Sequence, residues 1–247
     1  MKSWLRSNTC LPEDHADALL VGRAWIPSAG PTPVLIQGSD VLDLSGLAAT
    51  SSQLLDLDDP VAAIRSSRAL PRLASLEDVL SNSLHDERDE AAPWLLAPCD
   101  LQAIKASGVT FVASLLERVI EEQARGDAAR AAGLRQTITS IIGDNLQAVR
   151  PGSAEAQQLK DVLIAQGAWS QYLEVGIGPD AEIFTKAPPM SAVGTGAEVG
   201  IHPKSAWNNP EPEIVLAVSS TGRVVGASLG NDVNLRDFEG RSALLLG

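Results

Sequence analysis

The sequence predicts an α+β fold, with β-rich segments at both ends and a helical middle. Three observations point to it. Alternating, β-branched runs with turn residues between them fill residues 18–48. Apolar residues recur at helical spacing from Val109 to about Ala165, and an extended hairpin pattern returns between Ile214 and Leu229. Strand-like patterns thus precede and follow a helical stretch. We expect a β-rich N-terminal part over 1–100, a helical segment over 101–168 and a further, β-containing domain beginning at 169.

In the N-terminal part, Ala18–Ile26 reads as a strand and Pro27–Pro33 as a Pro/Gly turn. Pro33–Gln37 and Val41–Leu44 flank Gly38-Ser39-Asp40, a second hairpin signal. Trp25 is expected in the core and His15 at the surface. The stretch from Leu54 to Asp89 is mixed, and Asp86–Glu90 is a charge run read as a solvated loop with His85 exposed.

The period then becomes helical. Phe111, Leu115, Leu116, Val119 and Ile120 share one face, and Glu117, Arg118, Glu121, Glu122 and Arg125 the other. Ala128–Ile142 is a second amphipathic helix, stopped at Gly143. Ser153 is placed to cap a third helix ending near Ala165, before Gly167. Trp169–Gly178 leads into the next region, Gly176, Gly178 and Pro179 mark a loop, and Glu182–Lys186 reads as a short strand ended by Pro188-Pro189. Glu182 and Phe184 share a face, with Lys186 beyond them. Gly194-Thr195-Gly196-Ala197-Glu198-Val199-Gly200 is a turn, because its third glycine falls one place late for a dinucleotide loop and no βαβ unit surrounds it. His202 follows in a loop.

The chemistry concentrates in the last third. Glu211-Pro212-Glu213 leads into Ile214–Val218, a Ser219-Ser220-Thr221-Gly222 turn, and a return strand ending at Asn231-Asp232. Side chains alternate along a strand, so Glu211 and Glu213 share a face, roughly 7 Å apart. A two-residue loop sets Glu211 opposite Asp232, and a four-residue loop moves Asp232 one diagonal step. Both keep the three acids on one face; an odd-numbered loop or a bulge would flip Asp232. The other face then carries Ile214, Leu216, Val218, Val225, Ala227 and Leu229 and is expected to pack, while Ser228 and Gly230 leave room beside the acids. Three close carboxylates repel one another unless a cation sits among them. A hard divalent ion with oxygen ligands, Mg²⁺ or else Mn²⁺ or Ca²⁺, answers that repulsion. The alternative is a solvated strand end bearing three exposed acids.

Three stretches in this region resemble the fumarylacetoacetate hydrolase family: Glu182-Ile183-Phe184-Thr185-Lys186-Ala187-Pro188-Pro189, Pro210-Glu211-Pro212-Glu213-Ile214-Val215, and Gly230-Asn231-Asp232-Val233-Asn234-Leu235-Arg236-Asp237. The F-x-K, E-x-E and D-x-x-x-R-D elements stand in that family's order. The resemblance implies a mixed β-roll catalytic domain, incomplete here, preceded by an N-terminal α+β domain. It also implies Mg²⁺ or Mn²⁺ held by Glu211, Glu213 and Asp232, and a homodimer. Around Trp207-Asn208-Asn209-Pro210 the wording is most similar to the sugar-acid branch, the 2-keto-3-deoxy-arabinonate dehydratases. That branch implies a catalytic role for Glu182 near a metal-bound water. Family members continue past D-x-x-x-R-D to a lysine and a Thr-Gly-rich loop, so a truncated chain ending at Gly247 is expected.

Such a metal suits a 2-oxo acid substrate, whose carboxylate and keto oxygens chelate it together. Lys186 is a candidate partner for the substrate carboxylate, although a strand lysine is more commonly solvated. Three functions remain open: dehydration of a 2-keto-3-deoxy sugar acid, C–C bond hydrolysis of an acylpyruvate-type diketo acid, and an inactive fragment with a residual metal site. Composition excludes other classes. A net charge of −12 over 247 residues lacks the basic footprint that nucleic acid or an anionic membrane requires. No apolar run approaches the roughly 18 residues of a membrane helix. Cys10 and Cys99 form no C-x-x-C pair, and no apolar signal segment follows Met1-Lys2-Ser3-Trp4, so a cytoplasmic protein is expected. There is no G-x-S-x-G elbow and no P-loop.

Overall fold

The structure is a computed structural model that describes residues 4–108, 120, 128–142, 149–165, 167, 169, 171–180 and 183–239. Its contacts divide into two units, Met1–Ile104 with Ala187–Gly247, and Lys105–Lys186. All strand pairings with an assigned register are antiparallel, and helices and strands are mixed.

The first unit contains a five-stranded sheet in the order β4-β3-β2-β1-β5. Its strands are β1 (Leu20–Ile26), β2 (Gly30–Gln37), β3 (Asp40–Asp43), β4 (Arg72–Ser75) and β5 (Trp94–Leu96). The second strand begins at Gly30, earlier than its prolines suggest. Pro31 and Pro33 are tolerated because β3 pairs only with Val34–Gln37, leaving that part of β2 an edge on one side. Both faces of the sheet are covered, as strand alternation allows. Ala24, Ile26, Val34 and Val41 pack with Leu76, Val79 and Leu80 of helix α4 (Leu76–Asn82). Leu35 and Leu44 pack with Leu54 and Ile64, from helices α2 (Ser51–Leu55) and α3 (Pro60–Ser66). A short α1 (Ser7–Cys10) precedes the sheet. The three longer helices begin on side-chain caps: Thr50, Asp59 and Ser75 accept from the amides of Gln53, Ala62 and Asp78.

Trp25 is not a core residue. It is half-buried and stacks on Trp94, ring centroids 5.4 Å apart, and the Arg88 guanidinium lies 5.0 Å from the Trp94 ring. His85 and His15 are exposed, as expected. A buried polar clasp underlies the sheet. Asp100 accepts from the amides of Ser51, Ser52 and Leu101 and from the Ser52 hydroxyl, 3.6 Å from the Arg23 guanidinium. Arg23 in turn donates to the Cys99 carbonyl.

In the second unit, β6 (Ile104–Ser107) pairs with β7 (Ile183–Ala187), and Lys105 Nζ reaches the Thr185 hydroxyl at 2.6 Å. Helices α5 (Ala128–Ile142) and α6 (Ala154–Ala165) keep the expected bounds, and the Ser153 hydroxyl accepts from the Ala156 amide. The helix expected from Val109 lies outside the described residues except for Ile120, which is helical and buried. The loop marked by Gly176, Gly178 and Pro179 begins only after Ile177. Residues Gln171–Ile177 form helix α7, with Leu173 and Ile177 buried one turn apart. That i, i+4 pair outweighs the helix-breaking tendency of Gly176.

Candidate functional site

The acidic hairpin belongs to the first unit. It consists of β8 (Asn208–Asn209), β9 (Pro212–Val218), β10 (Val224–Asn231) and β11 (Asn234–Leu235), followed by a single helical turn, α8 (Arg236–Glu239). At the tip, Val218 pairs with Val224, leaving the five residues Ser219–Arg223 as the loop. An odd loop alone would turn Asp232 to the other face. A bulge follows at once, however, and the next pairs are Ala217 with Gly226 and Glu213 with Gly230. The two flips cancel. The Asp232 amide donates to the Glu211 carbonyl at 2.9 Å, so these residues lie opposite each other. The same register continues across the prolines to Asn209 with Asn234 and Asn208 with Leu235. By this register Glu211, Glu213 and Asp232 share a parity, with Glu211 and Asp232 lying between two separate two-stranded sheets, β9 with β10 and β8 with β11.

Space beside the acids is tighter than small residues alone suggest. A Cβ built on Gly230 would stand 2.7 Å from Val215 Cγ2, so Val215 leans over the glycine and fills the position next to Glu213. The Glu211 amide donates to the Asn231 carboxamide oxygen at 3.0 Å. The Glu211 carboxylate pairs with Arg236, whose other terminal nitrogen lies 3.6 Å from Glu239. Pairing of Arg236 with Glu239 is readable at i, i+3, but its main partner, Glu211, is a contact across the ladder. Asp237 accepts from the Ser205 hydroxyl and the Ala206 amide, tying α8 to the preceding loop.

The hairpin's other face is not a core face. Ile214 and Leu229 are 74% and 85% exposed, and Leu216 and Val218 are exposed too. The apolar, β-branched pattern is satisfied by pairing between the two strands, and among the described residues nothing covers it. The hairpin is anchored at its tip instead. The Ser220 amide donates to Asp56 at 2.7 Å, and Arg223 donates to the Asp58 carbonyl at 2.9 Å. These hydrogen bonds from Ser220 hold the Asp56 carboxyl below its ordinary range.

The remaining candidates stand as follows. Lys186, in the second unit, is half-buried on β7 with its ammonium 5.9 Å from the Phe184 ring. Glu182 lies outside the described residues. His202 is exposed, its ring 4.9 Å from that of Phe238. In the Gly194–Gly200 turn, Gly194 and Gly196 serve packing, while Gly200 stands in open space. A Cβ on Gly194 would meet the Leu95 carbonyl at 2.6 Å, and one on Gly196 the Ser83 carbonyl at 2.6 Å.

By residue type and register, three carboxylates of like parity suit a hard cation with oxygen ligands. Among the described residues, no group of three or more His, Cys, Asp or Glu side chains is arranged to hold a metal ion. Glu211 faces a guanidinium instead. One residue escaped the sequence reading altogether: Asn234, two places after Asp232 on β11, is 3% exposed and both atoms of its amide lack a hydrogen-bond partner. Its signal was parity with Asp232, which shows position but not burial.

No protein-family model matches the chain. Among curated proteins, it is 38% identical over 65 residues to the 2-dehydro-3-deoxy-D-arabinonate dehydratase of Saccharolobus solfataricus, covering 26% of this chain and 22% of that protein. It is 27% identical over 208 residues to a probable 2-keto-3-deoxyxylonate dehydratase of Haloferax volcanii, covering 81% of this chain and 56% of that protein. The chain thus spans about half the length of the second relative and less of the first. Two solved structures of 2-keto-3-deoxyarabinonate dehydratase, an apo form and a hexagonal crystal form, superpose with TM-scores of 0.54 and 0.53 at 17% and 18% identity. Each superposition covers 92% of this chain, and 59% and 60% of the solved chains. The resemblance read from the three C-terminal stretches is borne out: the chain is similar in sequence to 2-keto-3-deoxy sugar-acid dehydratases and shares their fold.

Proposed function

We propose that this chain is a divalent-metal-dependent lyase that dehydrates a 2-keto-3-deoxy sugar acid, with Glu211, Glu213 and Asp232 as metal ligands. The observation that carries the reading is the register of the acidic hairpin, which sets Glu211 opposite Asp232 with Glu213 of like parity. The names of the two curated relatives favour a dehydratase over a C–C hydrolase.

The reaction removes a proton from C3 and the hydroxyl from C4, leaving a 2-oxo acid with a C3–C4 double bond that rearranges further. When bound, Mg²⁺ or Mn²⁺ supplies Lewis acidity at the keto oxygen, which makes the C3 proton more acidic. The chain's own residues have three tasks. Glu211, Glu213 and Asp232 would supply the negative charge that holds the cation, Glu211 being the one paired with Arg236. Glu182 is the proposed general base or acid that moves the proton to or from the substrate. Lys186 is proposed to neutralise the substrate carboxylate. A homodimer and a cytoplasmic location complete the proposal; among the described residues no helix is long and apolar enough to cross a membrane.

The test is turnover of 2-keto-3-deoxy-arabinonate to 2,5-dioxopentanoate, followed with Mg²⁺ and after chelation. Turnover that vanishes on chelation, returns with Mg²⁺ and is absent from Asp232→Asn supports the lyase. Full activity in the chelated protein contradicts it, and cleavage of an acylpyruvate in place of dehydration supports the hydrolase.

A further inference from the structure

We propose that Asn234 is a ligand-binding residue of the acidic site, its side-chain amide taking a hydroxyl of the bound acid; this rests on the lyase reading and names the part of the substrate recognised. Three observations meet at this residue. Asn234 is 3% exposed, and neither Nδ2 nor Oδ1 has a hydrogen-bond partner. Buried amides are almost always paired, because an unpaired one forfeits its hydration with no return. Its place in the ladder is also defined. Asn234 pairs with Asn209 in the register that sets Asp232 against Glu211, so its backbone stands two residues beyond Asp232, with the same parity, in the adjoining two-stranded sheet. Finally, the neighbouring polar groups are already engaged: Asp237 with Ser205 and Ala206, and Arg236 with Glu211 and Glu239.

The unpaired amide has one free donor group and one free acceptor side by side. A carboxylate or keto oxygen can only accept and would leave Oδ1 orphaned. A hydroxyl both accepts from Nδ2 and donates to Oδ1, so it matches the pair. Hydroxyls are what distinguish a sugar acid from a simple 2-oxo acid. A site that buries an amide for a hydroxyl discriminates against the analogue lacking it, because that analogue leaves the amide unpaired. Neither amide atom meets solvent, so side chains around it must move for a hydroxyl to reach it.

The experiment uses two unreactive acids in Mg²⁺: 2,4,5-trihydroxypentanoate, and 2-hydroxypentanoate, which lacks the distal hydroxyls. Calorimetry on the full chain and Asn234→Leu is paired with NMR of the ¹⁵N-labelled asparagine side chains. The wild-type chain should prefer the trihydroxy acid by about tenfold or more. Asn234→Leu should lose that preference while its affinity for Mg²⁺ alone is unchanged. The Asn234 amide signals should shift with the trihydroxy acid and not with its partner. A preference retained in Asn234→Leu, or amide signals unmoved by the trihydroxy acid, overturns the proposal; a buried water on the amide gives that result. If Asn234→Leu does not fold, the wild-type amide signals decide alone. If Mg²⁺ alone fails to bind, the metal reading falls separately, and the amide shift in metal-free protein decides the role of Asn234.

Discussion

Glu211 has a carboxylate with two competing partners, a guanidinium in this structure and a divalent ion in the proposed enzyme. Arg236 sets one positive charge against Glu211, so its removal leaves the carboxylates less neutralised. Arg236→Gln should therefore bind Mg²⁺ more tightly, by about tenfold, because a single charge at contact distance is worth at least that much in a partly buried site. Weaker binding, measured by calorimetry, would make Arg236 a positioning residue instead. Asp100 poses the opposite case, an acid whose role is structural. Burial raises its pKa, but hydrogen bonds from the Ser52 hydroxyl and from the amides of Leu101, Ser51 and Ser52 outweigh burial and hold it below 3.8. Its stabilising contribution is thus complete above the unfolded carboxyl's pKa and is lost as pH falls through the lower folded value. Asp100→Ala should cost about 3–5 kcal/mol near neutral pH, since Arg23 and three amides lose their anion. It should also make the acid limb of a denaturation profile shallower; an unchanged limb would contradict this. Neither Arg23 nor Asp100 was legible in the sequence, because residues so distant along the chain carry no spacing that announces a buried pair. Glu211 and Glu213 were legible as a pair of like parity, because parity along a strand is a local property; the place of Asp232 depends on the loop and bulge between the strands.

At the level of the element, the hairpin shows what pattern does and does not reveal. Alternation revealed the two strands and the like parity of Glu211 and Glu213. It did not reveal the five-residue loop or the compensating bulge, which depend on Gly222 at φ +80° and on how Ser219 bonds to Arg223. Nor did it reveal the exposure of the second face, since apolar β-branched residues favour strands whether or not a partner covers them. Ile214→Thr and Leu229→Ser should therefore change stability by less than about 0.5 kcal/mol, the usual range for surface positions. A loss of 2 kcal/mol or more, of the size expected for a core site, would restore the core-face reading. Gly230 behaves differently. With Val215 closing over it, Gly230→Val should destabilise the hairpin by about 1–3 kcal/mol through overpacking. Faster amide exchange along β9 and β10 would report that loss.

At the level of the molecule, the acidic hairpin and the N-terminal sheet belong to one unit although more than a hundred residues separate them in the chain. The join runs through Ser220 with Asp56 and Arg223 with Asp58, at the tip farthest from the acids. Sequence reading divided the chain in linear order, because composition shifts mark where patterns change and not where distant segments meet. The similarity to sugar-acid dehydratases completes the functional argument by joining a known fold to the face that local chemistry had singled out. That argument turns on whether the face takes a divalent ion. Calorimetric titration of Mg²⁺ into the full chain, beside Glu211→Gln and Asp232→Asn, tests it most directly. One ion per chain should bind, with affinity falling at least about tenfold in each variant as a charged ligand is lost. Equal binding by all three proteins, or no binding by any, would contradict the account.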